Sequence, residues 1–372
     1  MPHLPPIRLT GATILREGEL RQRSVAIARG RITRGPLPAV DLQGYLVLPG
    51  IVDLLFVPPA RGSAAERLRA CTRVAARHGI TTAWPAPLWG WQDDPEPCGA
   101  LVRALRPGGW PDLRPALRIE SYRTDCTDAL VALCREARPE LAWFASDFGR
   151  LEDLRQHDPA ALGAEARRLA LDPAALALQL EAAALRRREV PRHLCRLAEA
   201  LDEARARYGS IGDTGGAMRE THSMIGAGLA ACPAAPSAAA AARAMGDPVL
   251  LSAREDERLV EFLRGGFGDA IVSDGAPGRL VTLALALAGP ELADLPRIWA
   301  LLSQHPAEIM RLPDRGRLDQ GCRADLVVVA RDSGAVEATI SAGRLIHLTG
   351  QARDRFAAVL PRGRDDMGIA AE

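Results

Sequence analysis

The stretch Leu48-Pro49-Gly50-Ile51-Val52-Asp53-Leu54-Leu55-Phe56-Val57 constrains this chain most. A hydrophobic run is stopped by Pro-Gly and followed at once by a short apolar strand. Beyond it, strand-like runs alternate with amphipathic helices, the pattern of parallel strand-helix units. At 372 residues the chain has room for an eight-unit barrel, which takes roughly 250 residues, and for a smaller domain besides.

The flanks read differently. Short β segments with tight turns are predicted at Ile7 to Leu9, Ala12 to Leu15, Ser24 to Ala28, Gly30 to Ile32 and Leu46 to Leu48. The same texture returns at Gly316 to Leu318, Ala324 to Val329, Val336 to Ile340 and Gly343 to Ile346. Three regions are therefore expected: a composite β-sandwich from 1–48 and 313–350, a barrel over 49–312, and a loosely held tail over 351–372. Within the barrel region the clearest helix is predicted from Pro191 to Tyr208, with Leu194, Leu197 and Leu201 at helical spacing and Gly209 as its stop. Residues 150–190, rich in Ala, Leu and Arg, read as helices outside the barrel that form a cap. Ala230 to Ala244 reads as a plain surface helix.

Composition removes several function classes. The 47 basic and 46 acidic residues give a net charge of +1, so no basic field exists to hold nucleic acid. No signal pattern begins the chain, and its apolar runs fall short of the roughly 18 residues of a spanning helix; the expectation is a cytoplasmic protein without a membrane partner. Seven scattered Cys form no C-x-x-C pair and read as reduced thiols. No nucleophile elbow, P-loop or dinucleotide fingerprint is present, so neither nicotinamide nor flavin is expected. All 47 basic residues are Arg.

Two motifs at opposite ends name a superfamily. Gly30-Arg31-Ile32 with Leu48-Pro49-Gly50, and the late Gly316-x-Leu318-x-x-Gly321-x-x-Ala324-Asp325-Leu326-Val327, together resemble the amidohydrolase superfamily. His78-Gly79-Ile80-Thr81-Thr82 and Gln304-His305-Pro306-Ala307 resemble further positions of it. Ser273-Asp274-Gly275-Ala276-Pro277 and Leu117-Arg118-Ile119-Glu120 are similar to the ribose methylphosphonate triphosphate diphosphatase family of phosphonate metabolism. The resemblance, which runs with gaps from about residue 7 to 350, implies an α/β fold: an amidohydrolase-type (distorted TIM) barrel with a small β-sandwich formed by both chain ends. It also implies a metal-dependent hydrolase.

The departures from the pattern fall on the metal ligands. The first strand of the family ends in two ligands one residue apart, which here read Leu55 and Val57. Its later His positions are matched by Ser121-Tyr122-Arg123, by Asp147-Phe148-Gly149-Arg150 and by Gly212, and its Glu-Phe-Pro by Ala231-Cys232-Pro233. With no Lys in the chain, the carbamylated-Lys bridge of many relatives cannot form.

What remains is a set of strand-end oxygen donors. Glu120, Asp213 and Asp274 are the metal candidates, with Asp147 nearby, and suit at best one weakly bound Mg²⁺ or Mn²⁺. Without a cation they would repel one another and their pKa values would rise. Asp274 and His222 are the catalytic candidates, and Arg118 and Arg123 the candidates for a phosphorylated substrate. Each has a plainer reading: Asp274 and Asp213 as turn residues, Glu120 as the ion-pair partner of Arg118 or Arg123. The leading expectation is a divergent member that has lost metal-dependent hydrolysis. It binds a small, phosphorylated ligand or pairs with an active paralogue, as a homo-oligomer or hetero-oligomer. The alternative is an active hydrolase of a phosphorylated, phosphonate or cyclic amide substrate with a single-metal or metal-free site.

Overall fold

A computed structural model describes residues 3–92, 94–290, 292–357, 359 and 360. Eight short parallel strands form the barrel: β1 (Ile51–Phe56), β2 (Ile80–Pro85), β3 (Ala116–Glu120), β4 (Leu141–Ala145), β5 (Arg207–Ile211), β6 (Ala230–Ala231), β7 (Val249–Ser252) and β8 (Ala270–Val272). Neighbours from β3 to β8 pair in order. β2 reaches β3 through the short strand Leu88–Trp89, whose Leu88 lies opposite Arg118. Between β8 and β1 the ring is closed by the Asp274 N–H, which donates to Leu55 O at 3.1 Å.

Two further sheets pack against the barrel base. One has six strands and joins Tyr45–Pro49 to the late strand Leu326–Ala330, antiparallel, so that both chain ends share it. The other has four, all from residues 7–41. Ile7, Leu9, Ile27, Val47, Leu326, Val328 and Ile340 bury between them in one core. The barrel with a sandwich from both ends, expected from the motifs, is the observed architecture.

Helices form where an apolar face and a start signal coincide. Ala64–Arg77 begins with a capping box between Ser63 and Glu66 and buries Cys71, Ala75 and Ala76. Three helices after β4, Phe148–His157, Pro159–Arg168 and Pro173–Leu185, close over a core of Leu151, Leu162, Leu176 and Leu180 together with Trp91. Tyr122 stacks on Phe148 at 4.1 Å and ties this cap to the end of β3.

Four boundaries differ from the sequence reading. The helix predicted to Tyr208 spans Val190–Ala204 and stops because Arg205 turns left-handed at φ 59°. Tyr208 and Gly209 instead belong to β5, where a Cβ on Gly209 would collide with the Leu229 carbonyl. Ala230 and Ala231 form β6, and only Pro236–Met245 is the helix. Gly316 to Leu318 is not a strand. Ala352–Ala357, placed in the tail, is a helix whose Phe356 is fully buried in the sandwich core; residues 361–372 of that tail lie outside the described residues.

A buried charge cluster docks the sandwich on the barrel. Asp112 is fully buried, and its Oδ2 receives Arg315 Nη1 at 2.6 Å, Arg114 Nε at 3.0 Å and Arg323 Nη1 at 3.4 Å. Arg315 also donates to Thr82 Oγ1 of β2, and Arg323 to Ser341 Oγ of the large sheet. Burial acts to raise the Asp112 pKa, but Arg315 and then Arg114 outweigh it and hold the carboxyl below its ordinary value. Removing one partner of such a pair leaves the others buried and uncompensated, at about 3–5 kcal/mol. Asp112→Ala is expected to lose stability in that range in urea unfolding; a loss within the ~0.5 kcal/mol typical of a surface change would refute this assignment.

Candidate functional site

Barrel enzymes carry their sites at the carboxyl ends of the strands. Strand alternation decides which residues reach that mouth. Ala116 packs inside the barrel while Leu117 and Ile119 pack against helices, so Arg118 and Glu120 of β3 point inward.

The interior beneath the mouth is filled. Leu54 and Leu55 of β1, Trp84 of β2, Trp143 of β4, Ala231 of β6, Leu250 of β7 and Val272 of β8 form one apolar cluster. Leu54 and Leu55 both take part because the pairing of β1 with β2 slips between Asp53 and Phe56. Trp84 and Trp143 are completely buried. Trp143 Nε1 donates to Leu54 O at 3.2 Å and so ties β4 to β1 through the interior.

A polar recess remains at the mouth, where Arg118, Cys232, Ser252 and Asp274 are each only partly exposed. Arg118 Nε donates to Ala86 O at 2.9 Å. Burial pulls the Arg118 pKa down, and Asp274 is the first of the groups that oppose it. Ser252 Oγ donates to Asp274 Oδ2 at 2.9 Å. Burial raises the Asp274 pKa against that bond and the nearby Arg254 and Arg118. Cys232 and Asp274 both hold left-handed backbone, at φ 49° and 46°, a costly conformation for side-chain-bearing residues that concentrates at functional sites. Burial also drives the Cys232 thiol pKa well up, with Asp274 adding to it, so this cysteine is not an activated nucleophile.

One carboxyl group that the motifs do not mark lies directly below. Asp53 is fully buried, and its Oδ1 accepts from the N–H groups of Ser273 at 3.1 Å and Leu55 at 3.2 Å. Its Oδ2 has no partner among the described residues. Burial raises its pKa. The signal that could have found it is a lone carboxylate in the otherwise apolar run Ile51 to Val57.

The other candidates do not converge on this recess. Glu120 pairs with neither Arg118 nor Arg123: its Oε2 accepts from the Asp147 N–H at 2.8 Å and its Oε1 from the Tyr122 N–H at 3.3 Å. Burial pushes its pKa up to about 7, beyond what those bonds restrain. Asp213 is more than a turn residue. Its Oδ1 lies 2.9 Å from His222 Nδ1, and its Oδ2 accepts from Ser210 Oγ at 2.6 Å and from the fully buried Arg219 at 3.3 Å. Burial would raise its pKa, yet His222 and Ser210 lower it below its ordinary value. Ser210 neighbours the outward-facing Phe144, against which the His222 ring lies, so this network sits between β5 and the helix Gly216–Met224. Arg123 spends its donors on Asp125, Cys126 Sγ and Gly90 O, and is a tether rather than a free phosphate binder.

The divalent metal implied by the resemblance does not fit these residues. Leu55 and Val57 offer no donor, while the oxygens of Glu120 and Asp213 are taken up by separate protein groups. Asp274 accepts from Ser252 and lies in the field of Arg254 and Arg118. Among the described residues no three His, Cys, Asp or Glu side chains are grouped to hold a metal ion, which corrects the expectation that Glu120, Asp213 and Asp274 form one set. No described helix is long and apolar enough to cross a membrane.

The fold recurs among solved hydrolases. The chain is similar to N-acetylglucosamine-6-phosphate deacetylase from Pasteurella multocida (TM-score 0.62, 12% identity, covering 91% of this chain and 99% of that one). It is likewise similar to a β-aspartyl dipeptidase from Fervidobacterium islandicum AW-1 in complex with β-Asp-Leu dipeptide (0.61, 14%, 92% and 97%). A third is a single-site mutant of the Mycobacterium smegmatis deacetylase in complex with N-acetyl-D-glucosamine-6-phosphate (0.63, 15%, 92% and 100%). At these identities the likeness is one of fold: this is an amidohydrolase-type barrel. No family model and no curated protein matches the sequence.

Glu120 gives the mouth a pH signature. Its ordinary pKa is 4.5 and its folded value about 7, so between these the folded state binds more protons and stability falls as pH rises. His193, pushed by burial from 6.5 down to about 4, acts with the opposite sign: the unfolded state binds more protons and stability rises with pH over that window. Wild-type and Glu120→Gln proteins should therefore differ in unfolding free energy by an amount that changes by roughly 2–3 kcal/mol between pH 4.5 and 7. A constant difference across that range would contradict the assignment.

Proposed function

We propose that this chain is a divergent barrel, related to the phosphonate-pathway triphosphate diphosphatase, that has given up metal-dependent hydrolysis and binds a small anionic ligand at its mouth. The observation that carries the reading is the pairing of apolar Leu55 and Val57 at the end of β1 with the inward-facing Arg118 opposite Asp274. Binuclear hydrolysis needs several imidazoles or carboxylates converging on two cations, and this mouth offers a guanidinium in their midst. Arg118 supplies a permanent charge and planar donors suited to phosphate or phosphonate oxygens. Ser252 and Asp274 supply an acceptor and a donor for ligand hydroxyls. The two segments similar to the diphosphatase, Leu117 to Glu120 and Ser273 to Pro277, end β3 and follow β8, so both border the recess. Their position supports the phosphonate relation. A helical cap over Trp91 and Tyr122 supplies a lid surface, and a partner role with an active paralogue is compatible with the same site.

A second reading rests on the raised pKa values of Asp274 and Glu120. A protonated Asp274 beside Ser252 is the kind of group that acts as general acid in metal-free hydrolysis.

Metal analysis of protein purified without chelator, paired with calorimetric titration of methylphosphonate and ribose 5-phosphate, tests both. The expected result is substoichiometric divalent metal and binding that weakens about tenfold in Arg118→Gln, the loss of one charge-assisted contact. One tightly held metal per chain, or affinity indifferent to Arg118, overturns the first reading. Turnover of a phosphate ester that disappears in Asp274→Asn would favour the second.

A further inference from the structure

A cavity of ligand size lies away from the mouth. A cleft of about 600 Å³ opens at the opposite end of the barrel, where the hairpin turn of the sandwich leans on the barrel base. Its volume is that of a small-molecule site. Leu15, Phe267, Leu292 and Leu301 supply apolar wall, and Arg16, Arg297 and Arg317 reach it from three separate segments of the chain.

The polar groups of this cleft are left short of partners. Arg16 Nε and Arg317 Nε are buried donors, and Asp319 Oδ1 a buried acceptor, with no hydrogen-bond partner among the described residues. The pairings they do have are long: Arg16 Nε to Glu17 at 3.5 Å and Arg317 Nε to Asp319 Oδ2 at 3.9 Å. Arg297 lines the same cleft with an exposed side chain. Buried donors without acceptors are costly and call for an explanation. Arg317 Nη2 donates to Pro313 O at 3.4 Å, and the guanidiniums of Arg16, Arg297 and Arg317 outnumber the carboxylates of Glu17 and Asp319, so the cleft favours an acceptor carrying negative charge.

We infer that this cleft is a second ligand site, distinct from the mouth, for a small amphipathic anion: a carboxylate or phosphate head held by Arg16 and Arg317, with a compact apolar body against Phe267, Leu292 and Leu301. The orphaned Asp319 oxygen takes a hydroxyl on the ligand. The site lies at the base of β1, where Pro49 lines it just before that strand begins, and shares no residue with the recess of Arg118 and Asp274.

The test is titration of the whole chain with octanoate and with octyl phosphate, followed by calorimetry and by protein-observed NMR. Wild-type protein is expected to bind at least one of them, with a dissociation constant weakened about tenfold in Arg16→Gln and in Arg317→Gln and unchanged in Arg118→Gln. Stronger octyl phosphate binding identifies a phosphate ligand, and stronger octanoate binding a carboxylate. Ala300→Trp, which narrows the cleft without touching its charges, should abolish binding while circular dichroism shows the fold intact. Failure of both probes to bind, or binding that Arg118→Gln weakens and Arg16→Gln does not, refutes the second site and leaves the mouth proposal standing.

Discussion

One buried carboxylate holds the two halves of this molecule together. Asp112 receives guanidinium groups from Arg114, Arg315 and Arg323, and through the last two it joins β2 to the segment that returns the chain to the sandwich. A charge so deeply buried is tolerated only when paired and hydrogen-bonded. Asp112 meets that condition with the Gly108 N–H on its other oxygen at 2.6 Å. Nothing in this clasp lies at the barrel mouth. The fold can therefore be kept by residues that take no part in the chemistry, and the ligand positions can change without unseating the sandwich.

The carboxyl groups at and below the mouth share one electrostatic setting. Asp53, Glu120 and Asp274 each have raised pKa values, with burial the largest cause. Carboxyl groups in such surroundings lean toward the neutral form. Arg118 is the exception, since a guanidinium keeps its charge through any ordinary pH, and Asp274 is the first charge that favours it there. A fixed organic cation among carboxyl groups whose pKa values burial raises is a poor Lewis acid and a good oxyanion receptor.

Much of the fold could be read in the sequence because its signals are local. Pro49-Gly50 before an apolar strand, and Gly321 to Leu326 leading into a late one, mark the two strands that meet antiparallel in the six-stranded sheet. The end of the long helix was not legible: Arg205 adopts a left-handed backbone that glycine usually marks, while Gly209, read as the stop, is a strand residue needed for close packing on Leu229. The site was legible only in part. Arg118 follows from alternation on β3, but the grouping of Asp213 with Glu120 and Asp274 failed because the Asp213 side chain turns outward to Ser210, Arg219 and His222. Two residues past a strand end, the direction of a side chain depends on the turn, and the partners that decided it, Arg219 and His222, lie a helix turn apart six and nine residues later.

The filled interior gives Leu55 a packing role. Apolar packing supplies the cohesion at the centre of this barrel. Leu55, Trp84 and Trp143 bury completely, and burying a large apolar side chain is worth about 1.5–3 kcal/mol. The Trp143 bond to Leu54 O adds a fixed span between β1 and β4. A His at position 55 would place an imidazole among these apolar groups, a buried polar group that the packing leaves unpaired. Leu55 and the tryptophans that fill the barrel thus form one packed set, and a polar residue at position 55 without repacking of the others would destabilise the fold.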